Sequence, residues 1–266
     1  MSAYHNATSE GQTAEFITNS RVMETPLGQM QVKRVCRSCN SGWMSQIEHA
    51  AKAPLTRLIK GNTMALSAAD QQAVATWFSL FIVMHEFVTP KTNWAIPGEY
   101  QKHLFVQRKP LPNMLIQAVP HIVSPSPVRG WGNAVRHIVT TIGQDNGSEG
   151  VRVPQNTWES TLGIGCVVLH GFGTAVPDRV PWLDWWMGEQ YSKSLGRLAP
   201  IRRIWPRPLA QLKWPPHGQP FDDEAVWVLS SMFMEQTHDA FHEGRQTEQG
   251  NLIRRAFGHR PPPEGS

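Results

Sequence analysis

A chain of 266 residues that is 40% hydrophobic and 17% charged carries enough apolar material to bury a core, which excludes an intrinsically disordered chain. Its formal charge of +4 suits an anionic partner such as nucleic acid, and no run reaches the roughly 18–20 apolar residues that cross a membrane. Three cysteines, an odd number, argue against a disulfide framework. With no basic and apolar leader in MSAYHNATSEG, they point to a reducing, cytoplasmic compartment.

Residues 1–31 are polar. Val22–Thr25 and Gln29–Val35 read as two short strands around a Pro26-Leu27-Gly28 turn. A helix is predicted from Gly42 to Lys52, with Trp43, Ile47, Ala50 and Ala51 on one face and Pro54 ending or kinking it. A second helix runs from Ser67 to about Phe87. Ser67 with Asp70 three residues on is close to a capping box, and Val74, Trp77, Phe78, Phe81, Ile82 and His85 form the stripe. Short β-prone runs follow at His103–Gln107, Met114–Val123, Ala134–Ile142 and Leu162–Phe172, separated by Pro, Gly and Asn, and imply an antiparallel sheet. Residues 181–187 and 200–216 are tryptophan-rich and loop-like. Asp222–Arg245 is a final helix, and the tail 260–266 is expected to be disordered. The fold class is α+β: a small N-terminal unit over 1–60 and a larger domain over 61–259 with an antiparallel sheet and flanking helices.

Chemistry concentrates in Val35–His49. Cys36-x-x-Cys39 is a two-thiolate knuckle, and one such pair fills half of the four-coordinate shell of a structural zinc. Asn40 follows directly, then Gly42-Trp43, then the helix bearing Glu48 and His49. This segment resembles the HNH endonuclease superfamily, in particular bacterial and phage proteins with a "VC..CN.GWMS..E" pattern, here Val35, Cys36, Cys39, Asn40, Gly42, Trp43, Met44, Ser45 and Glu48. The resemblance implies a partial ββα-metal unit acting on DNA phosphodiester bonds. Asn40 would then be the middle Asn of the motif and His49 the helix residue at the catalytic metal, with Glu48 competing for that ion. Cys36 and Cys39 would be half of a zinc site. The implied cofactors are structural zinc, with an incomplete ligand set, and Mg²⁺ or another divalent cation for catalysis.

The family also carries, upstream, a second CxxC and an acidic-His-x-x-Pro strand whose histidine is the general base. Neither is present. His5, the only upstream histidine, has no proline three residues on and no strand pattern around it. The expectation is therefore either a start placed downstream of the true one or a degenerate relative, with weak or no cleavage by the chain as it stands.

Lys33, Arg34 and Arg37 flank the motif and read either as phosphate contacts or as a solvated basic edge, as do Arg202, Arg203 and Arg207. Trp43 reads as a core anchor of the small unit, His85 as a core histidine and Cys166 as a buried small hydrophobe. His238 and His242, at i and i+4, have metal-binding spacing but no third ligand nearby. Two other readings stand beside the nuclease: a non-enzymatic nucleic-acid-binding relative, and an interaction protein using the Trp-rich 181–216 region.

Overall fold

The structure is a computed structural model that describes residues 2–5, 13–18, 21–26, 35–88, 91, 94–123, 133–140, 156–177 and 200–230, the first three segments as backbone only. The fold is α+β. Its elements in chain order begin with β1 (Ser2–His5), β2 (Thr13–Thr18) and β3 (Arg21–Pro26). After them come α1 (Arg37–Cys39), a π-helical turn (Asn40–Met44), α2 (Ser45–Ile59), β4 (Met64–Ser67), α3 (Ala68–Glu86) and α4 (Gly98–Gln107). The remainder is β5 (Met114–Pro120), β6 (Asn133–Thr140), β7 (Thr157–Ile164), β8 (Val167–Thr174), β9 (Arg202–Trp205), β10 (Gln211–Trp214) and a helix α5 over 223–230.

Six strands form one antiparallel sheet in the order β1-β6-β7-β8-β5-β9. The register puts Val135, His137 and Val139 of β6 on the same face as Trp158, Ser160 and Leu162 of β7. Leu169 and Gly171 of β8 and Met114, Ile116 and Ala118 of β5 share that face too. Here α3 packs: a Cβ on Gly171 would stand 3.0 Å from the Phe78 ring, and the Ser79 hydroxyl lies 3.8 Å from Met114 Sδ. The other face, with Leu115, Val119, Val168, His170 and Phe172, is buried as well. A sheet buried on both faces needs no strict polar alternation, so β5 and β8 read as largely apolar runs.

That burial explains one misreading. The single run expected over Leu162–Phe172 is two strands, β7 and β8, joined by a turn at Gly165-Cys166, where Gly165 adopts φ +54°. The strand expected at His103–Gln107 is the end of α4, because Tyr100 and Leu104, one helical turn apart, both turn into the core. Residues 200–216 are not simply loop-like: β9 joins the edge of the sheet, and β10 pairs with β4. Val22–Thr25 is indeed strand, within β3, but its partner is Thr13–Thr18; the expected partner Gln29–Val35 lies almost wholly outside the described residues. His5, read as lying outside any strand, belongs to β1 opposite Val135.

The α2 helix runs through Pro54 to Ile59 instead of stopping near Lys52. Pro54 is buried on the same stripe as Ile47, Ala51, Leu55 and Leu58, so core packing offsets the lost helical hydrogen bond, while Ala50 faces solvent. The Ser67–Phe87 helix is present as α3, with Ser67 as its cap. Ser67 Oγ accepts the Asp70 amide at 3.1 Å, and Asp70 Oδ2 accepts the Ser67 amide at 2.9 Å. Two contacts seat this helical layer. The Cys166 amide donates to the Ile59 carbonyl at 2.9 Å, tying the end of α2 to the β7–β8 turn. The Gln71 side chain donates to the Leu209 carbonyl at 2.7 Å and accepts the Leu209 amide at 3.1 Å. Side chains of α2, α3, α4 and the α3-facing side of the sheet form one apolar cluster. Asp222 caps α5, accepting the Ala225 amide at 2.8 Å. Among the described residues no helix is long and apolar enough to cross a membrane.

Candidate functional site

Cys36 enters α1 in an extended conformation and caps it through sulfur: its Sγ accepts the Cys39 amide at 3.1 Å and lies 3.2 Å from the Ser38 hydroxyl. The Cys39 thiol is the largest influence on Cys36, followed by Ser38 and the Cys39 amide. Together they bring the Cys36 thiol down to about 7. Cys39 moves upward, chiefly because its proton is held by Cys36. The pair thus behaves as one thiolate and one thiol sharing a proton near neutral pH.

Asn40 follows in the same turn. Its amide donates to the Cys36 carbonyl at 3.0 Å, its carbonyl accepts the Ser45 amide, and its side chain faces solvent. The Ser41 hydroxyl donates to the Arg37 carbonyl at 2.9 Å. Gly42, at φ −98° and ψ −107°, leaves helical geometry and kinks the chain into α2. Arg37 is exposed on this turn; Lys33 and Arg34 lie outside the described residues. Glu48 and His49 are consecutive exposed residues of α2. His49 borders a shallow concavity of about 390 Å³ together with Ser41, Gly42, Ser45, Gln46 and Ala50.

The structure therefore brings Cys36, Cys39 and Asn40 into one turn and sets Glu48 and His49 on the adjoining helix. Cys36 and Cys39 have the donor chemistry and spacing of half a tetrahedral zinc shell. Among the described residues, no three His, Cys, Asp or Glu side chains are grouped to hold a metal ion, so neither the zinc set nor a set for a catalytic cation closes within them. His238 and His242 lie outside the described residues.

Trp43 is an anchor, but against α4. It meets Phe105 edge-on at 5.4 Å, and the Arg108 guanidinium lies 5.1 Å from the Trp43 ring centre and 5.0 Å from that of Phe105. Neither Phe105 nor Arg108 stands out in the sequence as a site residue; the one available signal was their place one helical turn beyond Gln101 and Leu104 in a chain segment that alternates like a strand.

A second polar group is enclosed in the core. The rings of His85 of α3 and His137 of β6 meet at 5.5 Å with their planes inclined by 55°, and His137 Nδ1 lies 2.7 Å from the Ser160 hydroxyl. Burial lowers His85 to about 4 and His137 well below its usual value, His85 adding to the latter, so both stay neutral. His85 is the core histidine its position on the α3 stripe implies. Cys166, expected to be buried, is half-buried at the β7–β8 turn, and all three cysteines are free. The chain matches no protein-family model, no curated protein and no solved structure.

Proposed function

We propose that this chain is a cytoplasmic relative of the HNH endonucleases that acts on the phosphodiester backbone of DNA. The observation that carries the reading is the single turn holding Cys36, Cys39 and Asn40, kinked at Gly42 into a helix that bears the exposed Glu48 and presents His49 to a solvent-open concavity. Cys36 supplies a sulfur already partly ionised at neutral pH, the form that ligates zinc. Asn40 holds the turn through its backbone and keeps its side-chain amide free to face the substrate. His49 and Glu48 offer donors for a divalent cation, whose chemistry is to stabilise charge on the reacting phosphate.

A plasmid-nicking assay with Mg²⁺ or Mn²⁺ tests this. It compares the chain with a form extended by the in-frame codons that precede Met1. Cleavage by the extended form, with weak or no cleavage by the chain alone, is the expected result. If neither form nicks and neither binds DNA in a salt-sensitive way, the reading fails. A second reading, a nucleic-acid-binding relative without cleavage, is favoured by the absence of a closed metal-ligand group among the described residues. It predicts salt-sensitive DNA binding with no nicking by either form.

A further inference from the structure

Between α2 and α3 lies a cleft of about 270 Å³, bordered by Gln46, Ile47 and Ala50 on one side, Gln72 and Thr76 on the other, and Arg108 at its end. Arg108 is the residue after α4, in the left-handed conformation at φ 51°, and its backbone amide caps the helix by donating to the Leu104 carbonyl at 3.1 Å. Its guanidinium lies over the Trp43 and Phe105 rings, which hold it beside the cleft. Nη1 is shielded from water and has no hydrogen-bond partner, and no carboxylate among the described residues pairs with the side chain. Asp70, on the α3 side, is taken up by Ser67. Arg108 is half-buried and lines the cleft, so an anion entering there meets a cation that no carboxylate among the described residues neutralises.

Three observations decide which anion. The cleft is at the small end of ligand sites, large enough for one phosphate and its sugar and too small for a bulky metabolite. Gln46 and Ala50 border both this cleft and the concavity at His49, so the two depressions adjoin over α2 and suit a polymer that continues past the motif. Phe105 keeps 46% of its surface exposed and Val106 55%, an unusual amount of apolar surface beside an arginine on a chain of net charge +4. A partly exposed aromatic ring beside a cation is the arrangement on which unpaired bases stack while the phosphate is neutralised.

We infer that Arg108, with the amides of Gln46 and Gln72, seats a backbone phosphate of a single-stranded or locally opened nucleic acid, and that Phe105 stacks on the adjoining base. This rests on the nucleic-acid reading above and assigns its strand path: from Phe105 and Arg108 across Gln46 to His49.

The test is fluorescence anisotropy with a short labelled oligothymidylate and with the matching duplex, using the full chain and its Arg108→Gln, Arg108→Lys, Phe105→Ala and Arg37→Gln variants. Melting curves accompany each, because Phe105 also packs edge-on against Trp43 and its truncation removes that contact. Arg108→Gln is expected to weaken single-strand binding about tenfold and to lower the salt slope by about one. Arg108→Lys recovers only part of the affinity. Phe105→Ala weakens single-strand binding about fivefold or more and leaves duplex binding unchanged. If the wild-type chain binds DNA and neither Arg108→Gln nor Phe105→Ala weakens it, while Arg37→Gln does, the strand path is wrong and the nucleic-acid reading stands. If the wild-type chain binds neither probe, the strand path falls, and the nicking comparison above decides the nucleic-acid reading separately.

Discussion

Glu86 closes α3 and is fully buried, with one carboxylate oxygen accepting the Ala95 amide at 2.6 Å and the Ile96 amide at 3.1 Å. Those amides favour the ionised form, yet burial outweighs them and pushes the carboxyl from 4.5 up to about 7. Between these values the folded chain holds a proton that the unfolded chain has released, so stability falls as pH rises through this window and stays lower above it. Converted by the usual linkage relation, the group removes roughly 2–3 kcal/mol between pH 5 and pH 8. His85 acts in the opposite sense. Burial depresses it to about 4, so its contribution is present above the usual 6.5 and is lost as pH falls toward 4, and His137 follows the same direction. The wild-type profile is therefore the sum of a falling and a rising component. Glu86→Gln keeps an oxygen for the Ala95 and Ile96 amides and removes the ionisation. Urea denaturation of both proteins at pH 5, 6, 7 and 8, followed by tryptophan fluorescence, isolates the term as a difference. The stability of the variant relative to wild type should improve by roughly 2–3 kcal/mol over that range. A difference that is independent of pH, or in which wild type gains on the variant as pH rises, refutes the assignment of this proton to Glu86.

Two further predictions concern the motif and its seat. Stopped-flow titration with a thiol-specific disulfide reagent should show one fast cysteine whose rate climbs through about pH 7, abolished by Cys36→Ser; a single common rate for all three thiols at pH 7 would contradict the shared-proton geometry. Gly165→Ala adds a Cβ at φ +54° that would sit 2.5 Å from the Ile59 carbonyl, the acceptor of the Cys166 amide. It should cost about 2 kcal/mol or more by thermal or urea melting, and an unchanged midpoint would show that α2 is not held at that turn.

How legible each part was depended on whether its information is local. Ser67 and Asp70 announce the start of α3 because a capping box is a four-residue event, and the structure contains it. Cys36, Cys39 and Asn40 are equally local, and the sequence places them in one turn. The α4 misreading was different in kind: HLFVQ is rich in aromatic and β-branched residues, and only the burial of Tyr100 and Leu104 against distant elements selects the helix. That error also hid Arg108, whose role follows from capping α4 beside Trp43, more than sixty positions earlier. Nor does the sequence reveal that Pro54 would be carried inside α2, since the compensating contacts come from the core.

The pairing of Gln71 with Leu209 sets an order of events during synthesis. The two residues are 138 positions apart, and β4, just before Gln71, likewise finds its β10 partner only at Gln211–Trp214. At about 5–20 residues per second, the emerging α3 waits roughly 7 to 28 s for the strand that locks its first turn. During that interval the motif turn and α2 have left the ribosome, while the platform on which they rest is still incomplete. The layer under Cys36–His49 is therefore completed late, when residues 200–230 arrive with the partners of Gln71 and β4.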